Sequence, residues 1–328
     1  MPDEETPNSS TNQPDIPEAY REQVNAVYHA WQDGDLSFAK ALKQLEAMQA
    51  AAKNDPIKLG ALANTLGIMH GYRSQFDESV AHFEEARTHF VNANVMRRVV
   101  SCDLNIGETY RLRGNYTRAR LYFHRAYEEG VKLNSISTQT TALSNEGQMW
   151  LTLNSIEKAR ETLEKALHVS EQPWTDTDPR SGEDLNRRDN QTEIHAALAQ
   201  VNIHEGELTA AWEHAKTAYD LAQTLDRPLR LGFAYRALAE VLTATSNSPD
   251  EAFAYEPDQY YKSAIKAFKQ VKAEGEVAKT QFAQAKSMAK RGKKRDAQRL
   301  LQQAMLLFTK LGMTNDAAKA AEAQLDIM

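Results

Sequence analysis

Between residues 104 and 126 the chain reads LNIGETYRLRGNYTRARLYFHRA. Small and apolar residues recur there at helical spacing. Gly107 and Tyr110 share one helix face, and Ala119, Phe123 and Ala126 share another. The polar stretch RGNY separates them, and Gly114–Asn115 suits a helix end followed by a restart. The pattern predicts two antiparallel helices. Gly107 and Ala119 permit a close approach, while Tyr110, Tyr116 and Phe123 fill the space around it. One such hairpin cannot bury its whole apolar face, so copies must stack.

Copies are present, 40 residues apart. Gly67, Phe76, Phe83 and Ala86 precede Gly107, Tyr116, Phe123 and Ala126 by that interval. Gly147, Trp150, Ala159 and Ala166 follow Gly107, Tyr110, Ala119 and Ala126 by the same interval. A fixed period of this size is the signature of a solenoid or array. More degenerate copies run through Ala199, Gly206, Leu208, Ala211, Ala215 and Ala218, through Ala239, Ala264 and Phe268, and through Ala285, Gly292, Ala297, Leu301 and Ala304. Gly34, Leu36 and Ala39 mark a weak first copy, in which the register of the second helix is open by one residue.

Two spacings break the period. Gly147 and Ala199 stand 52 residues apart, and the excess falls in 172–191, whose Pro, Gly and Asp content predicts a loop. Residues 246–259 lengthen the turn inside the sixth copy. The start, MPDEETPNSSTNQPDIP, is polar, acidic and proline-rich, which predicts a disordered tail. Asp55–Pro56 reads as an N-cap followed by the first helical residue, and Asn315 as the cap of a last helix. The expected organisation is a tail over 1–17, a repeat array over 18–312 with inserted loops near 172–191 and 246–259, and a capping helix over 313–328.

The order glycine, aromatic, glycine, aromatic, alanine, aromatic, alanine resembles the tetratricopeptide repeat in its longer, 40-residue version, across residues 20 to 312. The arrays it resembles are those of kinesin light chains and of bacterial regulators that bind signalling peptides. The resemblance implies an all-α, right-handed superhelical solenoid of about seven antiparallel helical hairpins with a C-terminal capping helix. It also implies that the first helix of each hairpin lines a concave groove.

In that groove Asn25, Asn105 and Asn145, with Thr65 in the second copy, fall at the 40-residue spacing. A side-chain amide offers donor and acceptor together, so a row of them suits the backbone of an extended peptide. The row resembles the asparagine ladder of kinesin light chains and peptide-binding regulators. A structural role, bonding the neighbouring helix, is the alternative reading, and both stay open. The next inward position reads Tyr28, Ile68, Glu108, Gln148, Gln200, Glu240 and Lys286, polar from the third copy onward. Arg111 and Arg236 are expected beside it. Lys279, Lys286 and Lys290 form a stripe that is either a solvated face or a site for an acidic segment. The candidate binding set is therefore Asn25, Asn105, Glu108, Arg111, Asn145, Gln148, Arg236, Glu240, Lys279, Lys286 and Lys290. The carboxylate-holding set of chaperone-binding members is absent at matching offsets.

Composition narrows the function further. Lys and Arg number 39 against 45 Asp and Glu, a net charge of −6, so the chain lacks the basic footprint of a general nucleic-acid binder. No stretch approaches the roughly 18 apolar residues of a membrane span, and the tail lacks the features of a signal peptide. Cys102 is the single cysteine, which excludes an intramolecular disulfide and points to a reducing compartment. A cytoplasmic location is expected, without nucleic-acid or membrane partners. Oligomeric state is not legible.

Catalytic signatures are missing. The chain has no Walker-type phosphate loop, no HExxH and no GxSxG elbow. His82 and His89 have no further ligand at a metal-binding spacing. Cys102 and Trp150 fall at packing positions, whereas Trp174 sits in the polar insert, either pinning it or anchoring a partner. No catalytic residue, cofactor or metal is expected. Two readings remain. One is a non-catalytic scaffold or adaptor that binds a peptide or protein segment. The other is a ligand-responsive sensor acting through a separate output protein.

Overall fold

The computed structural model describes residues 15–173, 183–225, 227–245 and 247–327. Within them the chain forms fifteen α-helices and no strand. Helix α1 (Glu18–Asp33) pairs with α2 (Phe38–Ala52), α3 (Pro56–Tyr72) with α4 (Phe76–Asn92), and α5 (Met96–Arg113) with α6 (Tyr116–Lys132). Next come α7 (Ile136–Thr152) with α8 (Ile156–Ser170), α9 (Glu183–Glu205) with α10 (Leu208–Leu225), and α11 (Pro228–Thr245) with α12 (Pro257–Gln270). The seventh hairpin is α13 (Glu274–Lys290) with α14 (Lys294–Lys310), and α15 (Thr314–Ile327) follows it. The fold is an all-α solenoid in which each hairpin packs on the next. No described helix is long and apolar enough to cross a membrane.

The repeated glycines are where the two helices of a hairpin meet. A Cβ on Gly67, Gly107 or Gly147 would come within 2.6, 2.7 or 2.5 Å of Phe83, Phe123 or Leu163 respectively. Gly232 does the same against Phe268 at 2.5 Å. Inside the RGNY turn, Gly114 adopts a left-handed φ of 85°, and Asn115 caps α6 by accepting from the Arg118 amide. Asp55 accepts from the amides of Ile57 and Lys58, with Pro56 at the first helical position, as expected.

The inserts are more ordered than their composition implies. Helix α9 begins at Glu183 and takes in the second half of the 172–191 segment. Asp189, on that added turn, pairs with Arg227 at 2.8 Å and Arg230 at 2.6 Å, ties to α11 that a Pro/Gly/Asp count does not register. Residues 174–182, with Trp174, lie outside the described residues, as do residues 1–14 of the tail. Its last part makes contacts: Asp15 accepts two hydrogen bonds from Arg98, each at 2.9 Å, and Ile16 packs on the cluster that holds Phe90, Val99 and Cys102. In the second insert Phe253 sits 5.2 Å from the Trp212 ring and 5.6 Å from Tyr219, and Lys216 pairs with Asp250 at 2.8 Å. Aromatic contacts of this kind contribute about 0.5–1.5 kcal/mol each beyond area burial. Phe253→Ala should therefore release the insert. Limited proteolysis should cut between residues 247 and 256 several times faster than in the parent, and unchanged cutting would show that Phe253 does not hold the loop.

The two ends of the array also meet. Phe76 of α4 and Leu112 of α5 join Phe308, Leu311, Met313 and Ala320 in one cluster. Lys319 of α15 donates to the Thr152 carbonyl at 2.9 Å, and Lys272 donates to the Trp31 carbonyl. Helix α15 thus covers the last hairpin and fastens it to the second, third and fourth.

Candidate functional site

Because the array returns on itself, its first helices surround a half-open cavity of about 450 Å³, within the range typical of ligand pockets. Arg111 comes from α5, Gln148 from α7, Glu193 and Gln200 from α9, and Arg236 and Glu240 from α11. Helix α13 adds Glu276, Lys279, Phe282 and Lys286, and α15 adds Asp316 and Lys319. A second hollow of about 420 Å³ shares Gln200, Glu240 and Lys286 with the first and runs on to Tyr261 and Lys290.

Ionic groups make up much of the lining, and most are already paired. Arg236 donates to Glu276 at 2.6 Å, and Lys279 reaches the other carboxylate oxygen at 2.8 Å. Burial alone would raise the Glu276 carboxyl. The two cations more than offset that and hold it well below the usual carboxylate range. Arg111 makes a bidentate pair with Glu108, both bonds at 2.6 Å. Burial works against its charge there, but Glu108 outweighs it and raises the guanidinium pKa. Glu193 pairs with Arg230. Lys286 stands 5.6 Å from the Phe282 ring; its charge acts on Glu240, but no described carboxylate lies within ion-pair distance of it.

Glu240 is the exception. Gln200 donates to it at 2.9 Å, yet desolvation raises its carboxyl despite Arg236, that hydrogen bond and Lys286. A carboxyl raised in the folded state favours folding below its unfolded value and loses that contribution as pH rises through the folded value. Glu240→Gln keeps the shape and removes the titration. The variant should match the parent near pH 4 and gain thermal stability relative to it as pH rises toward 8. A gain independent of pH would show that the carboxyl does not titrate in the folded chain.

Six of the sequence-predicted residues line the cavity: Arg111, Gln148, Arg236, Glu240, Lys279 and Lys286. Lys290 lines the adjoining hollow, and Glu108 adjoins through Arg111. The asparagines stand apart from both hollows. Asn105 donates its amide to Asn64 at 3.1 Å, a bond to the neighbouring helix. Thr65 is buried and bonds the Ala61 carbonyl at 3.1 Å, so the residue facing Asn105 is one position earlier than the ladder spacing implies. Asn145 is half-buried and Asn25 exposed.

Glu276 and Glu193 were not in the predicted set. The signal for Glu276 was available, since it lies one 40-residue period beyond Arg236, as Glu240 lies one period beyond Gln200. Equivalent positions on successive first helices are neighbours, so opposite charges placed there pair. Glu193 pairs instead with Arg230, which is off that period.

Elsewhere, burial pushes the Cys102 thiol up to about 12, which leaves no thiolate near neutral pH. Among the described residues no group of three or more His, Cys, Asp or Glu could hold a metal ion.

No protein-family model matches the chain, and no curated protein matches it in sequence. Solved structures do match. A Rap protein complexed with Competence and Sporulation Factor superposes with a TM-score of 0.59 at 12% identity, over 94% of this chain and 84% of that one. The apo form of RapI gives 0.58 at 15% identity, over 93% and 99%. The apo form of the quorum sensor NprR from B. thuringiensis gives 0.54 at 10% identity, over 94% and 86%. At these identities the likeness is one of fold.

Proposed function

We propose that this chain is a non-catalytic, cytoplasmic binding protein of the tetratricopeptide type that holds a peptide or protein segment in its concave groove. The observation that carries this reading is the groove itself. Arg111 is fixed by Glu108, and Arg236 and Lys279 by Glu276, before any ligand arrives. Polar groups held in place cost little further ordering on binding. Lys286 and Lys290 stand exposed at the mouth without carboxylate partners among the described residues, which fits an acidic group on the ligand. A protein of the same fold complexed with Competence and Sporulation Factor supports binding as the use of this architecture.

The second reading, a sensor that acts through a separate output protein, draws on the closure. A ligand touching Arg111, Lys279 and Lys319 would contact the third hairpin and the last one with α15 at once, and so bias how tightly they meet. A protein of this fold is described as a quorum sensor.

Affinity capture from the native cell, followed by titration of the captured segment into variants, tests the reading. Reversing both mouth charges, Lys286→Glu with Lys290→Glu, should weaken an acidic segment by about ten-fold. The loss should shrink as salt rises, because both side chains are exposed. A partner that binds the groove variants as tightly as the parent sits elsewhere, and the groove reading fails.

A further inference from the structure

Residues 261–310 hold 13 Lys and Arg against 3 Asp and Glu, a net +10 in a chain of net charge −6. Part of this charge lines the groove, but much of it lies on α12 and α14, the second helices. Lys262, Lys266 and Lys269 follow one another along one stripe of α12, all exposed. Lys294, Arg295, Arg299 and Lys310 are exposed on α14. The two helices form one surface. Asp258, in the first turn of α12, pairs with Arg291 and, at 2.8 Å, with Lys293 just before α14. Leu307 of α14 packs on the cluster built from Ala264 and Phe268 of α12.

Asp296 and Glu274 partly answer Arg299 and Lys310. Among the described residues Lys262, Lys266, Lys269, Lys294 and Arg295 have no carboxylate partner. Such a concentration of like charge repels itself. The face is not purely ionic. Leu306 is 61% exposed, and Ile265 lies with the three α12 lysines beside an open hollow of about 510 Å³.

We propose that this α12–α14 face docks a separate protein that presents an acidic segment with apolar side chains among its carboxylates. Phosphates would engage the cations and leave Leu306 and Ile265 unused, whereas a protein interface combines an apolar centre with a polar rim. None of the α12 or α14 lysines lines the cavity, so the proposal stands apart from the groove reading.

The probe is a labelled synthetic peptide of glutamates and leucines spaced as an amphipathic helix, titrated into the full chain at low salt. Lys262→Glu with Lys266→Glu and Lys269→Glu should weaken it by about ten-fold or more. These side chains are exposed, so circular dichroism should show the helices intact. Leu306→Ser should weaken binding several-fold, and added salt should weaken the parent. Reversing two exposed cations of α2 away from both surfaces, Lys40→Glu with Lys43→Glu, should leave peptide binding as in the parent. An α12 triple variant that binds like the parent overturns the proposal. So does loss of binding on Lys286→Glu with Lys290→Glu that equals or exceeds the loss in the α12 triple variant, which would put the peptide in the groove. Tighter binding of a DNA duplex, or of phosphatidylserine vesicles, overturns it in favour of those partners.

Discussion

Gly107→Leu is expected to lower the thermal midpoint by about 5 °C or more. A Cβ alone at Gly107 would stand 2.7 Å from Cε1 of Phe123 and 3.2 Å from Cβ of Tyr122. Phe123 is fully buried between hairpins, in the cluster with Ile106, Tyr110 and Ala119, so its ring has no room to turn away. A leucine must push α5 from α6, and overpacking of this kind costs on the order of 3 kcal/mol. Gly275→Ala provides the contrast. Its Cβ, inside the first turn of α13, would meet only Met313, at 3.4 Å from the sulfur and 3.9 Å from the methyl carbon, both ordinary contacts. Replacing glycine in a helix without strain stabilises by about 0.4–1 kcal/mol. Opposite signs for the two substitutions are the expected result. An unchanged midpoint for Gly107→Leu would mean that α5 and α6 do not meet there.

That contact was legible in the sequence because close packing leaves few options. Only a small residue fits at Gly67, Gly107 and Gly147, and the requirement returns every 40 residues. Gly232 is not legible from that period because the sixth hairpin places its close approach two helical turns earlier, where the second hairpin also has Gly60 against Phe90 at 2.8 Å. Closure of the array was not legible. Phe76 meets Phe308 across most of the chain, and no local pattern encodes a contact that depends on summed small rotations between hairpins. The same geometry explains the uneven reading of the groove. Arg111 and Arg236 are legible beside the inward phase and Lys279 by its stripe with Lys286 and Lys290, but their convergence on one cavity depends on closure. The N-terminal asparagines follow the phase too, yet they stand on the stretch of the array before α13 returns.

Arg236→Met should produce the largest change at the groove, and in two separable quantities. Arg236 and Glu276 are only 13% and 14% exposed, so their pair is weakly screened. Removing one partner of a buried pair costs about 3–5 kcal/mol, and the remaining Lys279 contact should hold the loss near the lower end. Because Glu276 is held below its ordinary value of 4.5, its contribution is present above that pH and disappears as pH falls through the depressed value. The stability deficit of Arg236→Met should therefore be full at pH 7 and narrow in acid. Adding Glu276→Gln removes the stranded carboxylate, so the double variant should regain most of the lost midpoint. Ligand affinity should not return with it. If Arg236 turns part of its donor fork toward the bound segment, losing that charge-assisted bond costs about 1.5–3 kcal/mol, or roughly ten- to hundred-fold in affinity. A double variant that recovers both stability and affinity would confine Arg236 to holding the groove's shape. One that recovers stability alone would make it a contact to the ligand.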